Sequence, residues 1–361
     1  MTPNPHTQTA PFLVEPRPYD APPTCHQTMR VVENTGIEIT VGQQTLHLDP
    51  RKETPDSVIT HAHTDHLTPG GYMTPATEDF LRIRRPTRSG RRLHYHKNIE
   101  LKGATIRLHD AGHILGSAMI EATTPDATLV YTGDFNPNGG LTTNPIKPVD
   151  CDILVMESTY GDPRFDLPPR GLVIDSLESW MLSRSAEGPV ALGAYPLGRA
   201  QELIHLANRN GLTPIVNAEI GALTAVYNAH GHDLTYAISG TERAANLDGV
   251  GAIHIVGRQD LKKGAPFATT HRAKGGSAAY LSGWCHRYSY FRSYDIDAQF
   301  ALSDHASFSE LIDYVETVQP RTVYTMHGAN IPLATQIRQR LMIKAEANTN
   351  EPPKKKTTQA K

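Results

Sequence analysis

Six residues, His61-Ala62-His63-Thr64-Asp65-His66, constrain this chain more than any other stretch. They follow directly on Ser57-Val58-Ile59-Thr60, an apolar run that reads as a strand. Neutral imidazole and carboxylate are the donors that Zn²⁺, Mn²⁺ and Fe²⁺ prefer. In an extended segment, alternation sends His61, His63 and Asp65 to one side, with His66 elsewhere unless the chain turns. One hexapeptide can therefore hand ligands to two neighbouring metal ions. A polar loop with chance histidines is the competing explanation, and the concentration of donors at a strand end argues against it.

Composition sets outer limits. A chain of 361 residues holds two domains, or one large domain with an insertion, and 39% apolar residues are enough for a core. A net charge of −2 and a pI near 6.8 exclude a globally basic nucleic-acid binder but not a local basic patch. The three cysteines, Cys25, Cys151 and Cys285, are far apart, which argues against a disulfide framework or a thiolate zinc site and fits a reducing cytoplasm. No apolar stretch approaches the roughly 20 residues needed to cross a bilayer, so no membrane association is expected.

The pattern along the chain is strand-rich, then mixed. Residues 1–28 read as a disordered lead-in. Short strands are expected at 30–32, 37–41, 45–48, 57–60, 104–108, 117–122, 128–132 and 153–156. From about 170 helical periodicity at 171–185 and 198–210 alternates with short apolar runs, the signature of a small parallel sheet. Helices are expected again at 308–319 and 332–344, around a strand at 322–326. Residues 347–361, with Lys354-Lys355-Lys356, read as a solvated basic tail.

Further donors recur at strand ends. His113 lies in Asp110-Ala111-Gly112-His113-Ile114-Leu115-Gly116-Ser117, and Asp134 in Tyr131-Thr132-Gly133-Asp134-Phe135. His305 and His327 each close an apolar run, in Ser303-Asp304-His305 and Thr325-Met326-His327-Gly328. Each alone is an ordinary loop residue; together, in this order, they describe a site.

The order HxHxDH, then His, then Asp resembles the metallo-β-lactamase superfamily, an αββα sandwich with a dinuclear site at one edge of its two sheets. Glu157-Ser158-Thr159-Tyr160-Gly161, Ser303-Asp304-His305 and Met326-His327-Gly328 are similar to motifs A, B and C of the β-CASP nucleases. Residues 194–202 resemble the turn that opens the inserted β-CASP domain, and Ser282-Gly283-Trp284 the strand that leads out of it. The likeness spans roughly 30–335 and is greatest to ligase-associated DNA exonucleases and messenger-RNA 3′-end processing factors. It implies a metallo-β-lactamase domain over 29–188 and 286–346 and an insert over 189–285.

Carried over residue by residue, the resemblance implies two divalent ions, Zn or Mn. His61, His63 and His113 would hold one, Asp65, His66 and His327 the other, and Asp134 would bridge them. Asp65 also counts among the catalytic groups. Asp49, in Leu46-His47-Leu48-Asp49-Pro50, would orient the HxHxDH loop. His305 would protonate the leaving group, with Glu157 orienting its ring. Both lie beyond the motifs of a plain β-lactamase, which argues for a phosphodiester substrate and against small-molecule hydrolases.

Substrate contacts are read more openly. Arg199, after a glycine at a helix start, either meets a phosphate or pairs with Glu202. Lys274 sits in a Gly-rich basic stretch suited to a cleft wall. Arg82, Arg84, Arg85, Arg88, Arg91 and Arg92 read as a phosphate-tracking surface or a solvated loop. Tyr288, Tyr290, Phe291 and Tyr294 either stack on single-stranded bases or pack on strands. The expected function is a metal-dependent DNA exonuclease in DNA repair, with DNA ligase and helicase partners implied by the resemblance. An RNA-processing endo- or exoribonuclease is the alternative, and a non-catalytic subunit fits poorly because every ligand position is filled.

Overall fold

The computed structural model describes residues 30–33, 36–41 and 43–347. The expected lead-in, Cys25 and the lysine tail lie outside the described residues. The first sheet runs in chain order through β1 (Arg30–Glu33), β2 (Ile37–Val41), β3 (Gln44–Leu48), β4 (Ser57–Val58), β5 (Tyr72–Met73) and β6 (Arg91–Arg92). Helix α1 (Pro75–Arg84) links the last two strands. Thr74 starts it, its hydroxyl accepting from the Thr77 amide with proline at the first position. The second sheet begins with β7 (Asn98–Leu101), β8 (Ala104–Asp110), β9 (Ala118–Thr123), β10 (Thr128–Tyr131) and β11 (Ile153–Ser158).

The chain then leaves this sheet through α2 (Arg170–Ser185), β12 (Val190–Ala194), α3 (Arg199–Arg209), β13 (Ile215–Val216), α4 (Ala218–Ala229), β14 (Ala237–Ile238), α5 (Glu242–Leu247), β15 (Ile253–Gly257), α6 (Pro266–Ala273), β16 (Ser277–Leu281) and β17 (Ala298–Phe300). These six strands form an all-parallel sheet in the order β14-β13-β15-β12-β16-β17. Finally α7 (Phe308–Val318), β18 (Thr322–Gly328), α8 (Asn330–Leu341) and β19 (Lys344–Ala347) return the chain, and β18 slots in beside β11.

Strand alternation explains the layering. In β10, Leu129 and Tyr131 face the core between the two sheets, where they meet Ile39, Leu46 and Val58. Val130 faces the other way, onto Leu311, Val315 and Ile337 of α7 and α8. A third core joins α1 to the insert through Phe80, Leu81, Leu203 and Tyr227. The architecture is therefore the expected αββα sandwich with a small parallel-sheet insert.

The unit built on the parallel sheet reaches beyond 189–285. Helix α2 packs its Ile174 and Leu177 into the insert's core, and β17 supplies the sheet's edge after 285. Ser282-Gly283-Trp284 is not strand but the turn just past β16, because the Ser282 hydroxyl accepts the Trp284 amide and winds the chain into one helical turn. The last helix stops at Leu341 rather than 344. Met342 turns left-handed there and Lys344 begins β19. Among the described residues no helix is long and apolar enough to cross a membrane.

Candidate metal centre

Loops at the ends of β4, β10, β11 and β18, with the β8–β9 turn, converge on one spot. His61 Nε2 lies 3.2 Å from His63 Nδ1, which lies 3.0 Å from His113 Nε2. The outer nitrogen of each ring is engaged. His61 Nδ1 is 2.9 Å from Thr60 Oγ1, whose one hydrogen is given to Asp49 Oδ2 at 2.6 Å. The hydroxyl must therefore accept, and His61 Nδ1 carries the proton. His63 Nε2 donates to the Leu197 carbonyl at 3.3 Å, and His113 Nδ1 to the Asp304 carbonyl at 2.8 Å. The three inward nitrogens are consequently bare lone pairs facing each other. They cannot hydrogen-bond among themselves, and a cation is what such a donor set accommodates.

A second set adjoins the first. His66, Asp134 and His327 present ligand atoms within 4.8 Å of one another. Asp134 faces both ways, with Oδ2 3.5 Å from His61 Nε2 and 3.8 Å from His113 Nε2, and Oδ1 3.7 Å from His66 Nε2. His66 is aimed by Asp49, whose Oδ2 accepts its Nδ1 at 2.8 Å and the Tyr131 hydroxyl at 3.1 Å, while Oδ1 takes the Thr60 amide at 2.7 Å. Thus Asp49, which adopts a left-handed backbone (φ 44°), touches the partners of both sets. His327 reaches the site through a β-bulge. Between Glu157 and Ser158 the β11–β18 register skips it, and its φ of 54° swings the side chain off the strand.

Electrostatics favour the neutral imidazoles a metal needs at His61, His63 and His113, whereas, against burial, the Asp134 and Asp49 carboxylates raise His66 to about 10. Burial, with neighbouring imidazoles, holds His61 and His113 well below the ordinary histidine value, and burial takes His63 to about 4. Burial opposes charge on Asp134, yet His66, His305 and His61 keep its carboxyl well below the usual range. Beside the cluster, His305 Nδ1 lies 2.9 and 3.0 Å from the two oxygens of the buried Glu157, which also accepts the Phe135 amide at 2.8 Å. Burial works against charge on His305, but the Glu157 and Asp134 carboxylates raise it to about 9.

The chain resembles known proteins along most of its length. Residues 295–345 match the family model described as a Zn-dependent metallo-hydrolase RNA specificity domain. A "Probable DNA ligase" from Opitutus terrae is 29% identical over 79% of this chain and 28% of its own length. "RNase aCSPSF2" from Saccharolobus solfataricus is 27% identical over 62% and 52%. An "Uncharacterized protein in lig 3'region" from Acidianus ambivalens is 31% identical over 38% of this chain and 96% of that protein. A crystal structure of a protein of unknown function from Enterococcus faecalis V583 shares the fold, with a TM-score of 0.61 at 14% identity, over 88% of this chain and 96% of that one. The chain belongs to the β-CASP nuclease group of the metallo-β-lactamase superfamily. It spans about a quarter to a half of the length of the first curated relatives it matches.

Within this β-CASP chain several sequence expectations need correction. Asp65 is set apart from His61 and His63, against simple strand alternation, and flanks the second set from the solvent side. The chain turns at 64–66, where the His66 and Leu67 amides both bond to the His63 carbonyl. That turn brings His66 in and leaves the Asp65 side chain 79% exposed, 4.0 Å from His66 Nε2. Arg199 is no substrate contact. It is 2% exposed, and its guanidinium bonds Glu202 Oε2 and Asp304 Oδ1, each at 2.8 Å. Arg170 joins the same network through Glu202 and the Ser303 carbonyl.

Lys274 is equally misplaced as a cleft residue. It pairs with Asp248 at 2.6 Å and precedes β16, at the starting end of the parallel sheet, whereas Leu197 meets His63 beyond the finishing end of β12. Four of the six clustered arginines are paired: Arg82 with Glu78, Arg88 with Glu53, Arg91 with Asp56, and Arg92 with Glu78 and Asp79. Tyr290 and Tyr294 pack on Tyr280, at 4.9 and 5.4 Å between rings. Sequence reasoning missed Thr60, Tyr131 and the Leu197 carbonyl as groups that orient ligands. Only the hydroxyl beside His61 offered a local signal.

Proposed function

We propose that this chain is a dinuclear-metal phosphodiesterase, a DNA exonuclease acting in repair beside a DNA ligase. The observation that carries the reading is the convergence of three bare imidazole nitrogens on Asp134, next to the His305–Glu157 pair. His61, His63 and His113 would hold one Zn²⁺ or Mn²⁺, and His66, His327 and Asp65 the other, with Asp134 offering an oxygen to each set. The chemistry such ions would supply there is a hydroxide near neutral pH and charge to neutralise phosphate oxygens. The chain's own groups do the rest. Asp49 and Thr60 fix the rings of His61 and His66, so that bare nitrogens face inward. Glu157 takes His305 Nδ1, leaving Nε2 to give its proton to the departing oxygen.

DNA is favoured because the relative named a probable DNA ligase aligns over 79% of this chain, against 62% and 45% for two named ribonucleases. The relative named for a lig 3′ region points the same way. RNA cleavage is the second reading, supported by the match of 295–345, containing His305 and His327, to an RNA specificity domain. The test is an incubation of end-labelled single-stranded DNA and RNA of matched sequence with Mn²⁺, Zn²⁺ or EDTA. A ladder from one end of the DNA, stopped by EDTA, is expected. Cleavage of RNA alone would overturn the DNA assignment, and internal cuts the exonuclease; hydrolysis in EDTA would remove the metal.

A further inference from the structure

Beside the His305–Glu157 pair a group of aromatic rings leads out to solvent. The Tyr160 ring stands edge-on to His305 at 6.2 Å, and Trp284 lies 5.0 Å from Tyr160. Phe165 sits beneath both, 5.5 Å from Tyr160 and 5.0 Å from Trp284, and Tyr288 follows at 6.1 Å from Trp284 and from Phe165. Exposure divides the group in two. Tyr160 and Phe165 are buried, Trp284 is half-buried, and Tyr288 is 52% exposed. Rings that served only as core would follow the first pair. Here two fixed rings form a floor, and two more are offered to solvent on top of it.

The surrounding charge indicates what the rings are offered to. His286-Arg287-Tyr288-Ser289-Tyr290-Phe291-Arg292 interleaves cations with aromatics, and Arg287, Phe291 and Arg292 are exposed. Arg164 adds a guanidinium next to Phe165, although Asp162 holds it at 2.7 Å. An apolar peptide would gain little from these arginines. A single strand uses both features, since its bases stack on flat rings and its phosphates meet the cations. We infer that Trp284 and Tyr288 form a stacking shelf for the unpaired bases of a single-stranded nucleic acid whose phosphodiester lies at His305. The inference rests on the phosphodiesterase reading for its orientation, but the shelf binds a strand without any cleavage.

The experiment measures binding in EDTA by fluorescence anisotropy, with the full chain. The probes are labelled oligothymidylate DNA, oligouridylate RNA of equal length, and an abasic strand. Trp284→Ala and Tyr288→Ala should each weaken the base-bearing strands by roughly 5- to 150-fold. Neither should change the weaker binding of the abasic strand. Because Trp284 touches two buried rings, an independent reading avoids truncating it. Trp180 is the other tryptophan and packs on Phe300 at 5.9 Å. In Trp180→Phe protein, Trp284 emission should be quenched by base-bearing strands and not by the abasic one. If Tyr288→Ala binds the thymidylate and uridylate strands within twofold of wild type and Trp284 is not quenched, the shelf is refuted. Hydrolysis of bis(p-nitrophenyl) phosphate by the wild type, which offers no base to stack, tests the phosphodiesterase reading separately.

Discussion

Replacing Arg199 by methionine removes the cation at the centre of the contact between insert and sandwich. The methionine keeps most of the volume but leaves two buried acids facing the gap. Glu202 retains Arg170 and the Leu141 amide, which bonds it at 2.8 Å. Among the described residues Asp304 loses the one guanidinium ion-paired with it, and burial together with the neighbouring Glu202 already raises its carboxyl to about 7. Breaking a buried pair at one end costs about 3–5 kcal/mol. Because only one of the two acids is stranded, the lower end applies, about 3 kcal/mol. At a urea dependence of about 3 kcal/mol per molar, the unfolding midpoint falls by about 1 M.

The same substitution reaches the metal site. Asp304 presents its carbonyl to His113 Nδ1, and Leu197, two residues before Arg199, does the same for His63. Loosening that brace should weaken Zn²⁺ affinity about 10- to 100-fold, the usual effect of losing a group that orients a ligand, measured by competition with a chelating dye. Removing the stranded charge should help: Arg199→Met with Asp304→Asn should cost at least 0.5 kcal/mol less than the two single changes added. An Arg199→Met protein with a midpoint within 0.3 M of wild type (about 1 kcal/mol at the same slope) and unaltered Zn²⁺ affinity would refute the brace.

Three further outcomes follow from the geometry. Thr60→Val removes the acceptor that fixes the His61 tautomer, and should weaken metal binding about 10- to 100-fold, read by the same competition assay. His305→Gln should lower turnover about 10²- to 10⁴-fold with full metal content by elemental analysis, and a metal-depleted protein would instead make His305 a ligand. Burial pushes the thiols of Cys151 and Cys285 up to about 12, so both stay protonated below that pH. Iodoacetamide should leave them unmodified in native protein at pH 8 and label both in urea, as peptide mass mapping would reveal.

What the sequence displayed, and what it hid, follows from the range of the interactions involved. The histidines and Asp134 were legible because they sit where short apolar runs end or, for His113, in a glycine-flanked turn before one, and strand alternation with a following turn decides where such a residue points. The side that Asp65 takes was misread because one turn, closed by two amides on the His63 carbonyl, replaces the extended geometry on which the alternation argument depends. Arg199 was readable only as far as its helix neighbour Glu202. Its burial comes from Asp304, on a segment more than a hundred residues away that no local pattern joins to it. Lys274 failed for a related reason: a basic, Gly-rich stretch looks the same at either end of a parallel sheet.

The same division of range explains how the site is built. Ligands come from the ends of strands, which short-range patterning places, whereas their outer nitrogens are held by groups from distant segments. Thr60 and Asp49 come from the first sheet, Leu197 from the insert and Asp304 from the returning chain. No single one of these segments can orient all the imidazoles. The three bare nitrogens therefore face one another only when the insert is docked on the sandwich. On this argument the insert is part of the metal centre, and its docking and the affinity for metal should rise and fall together.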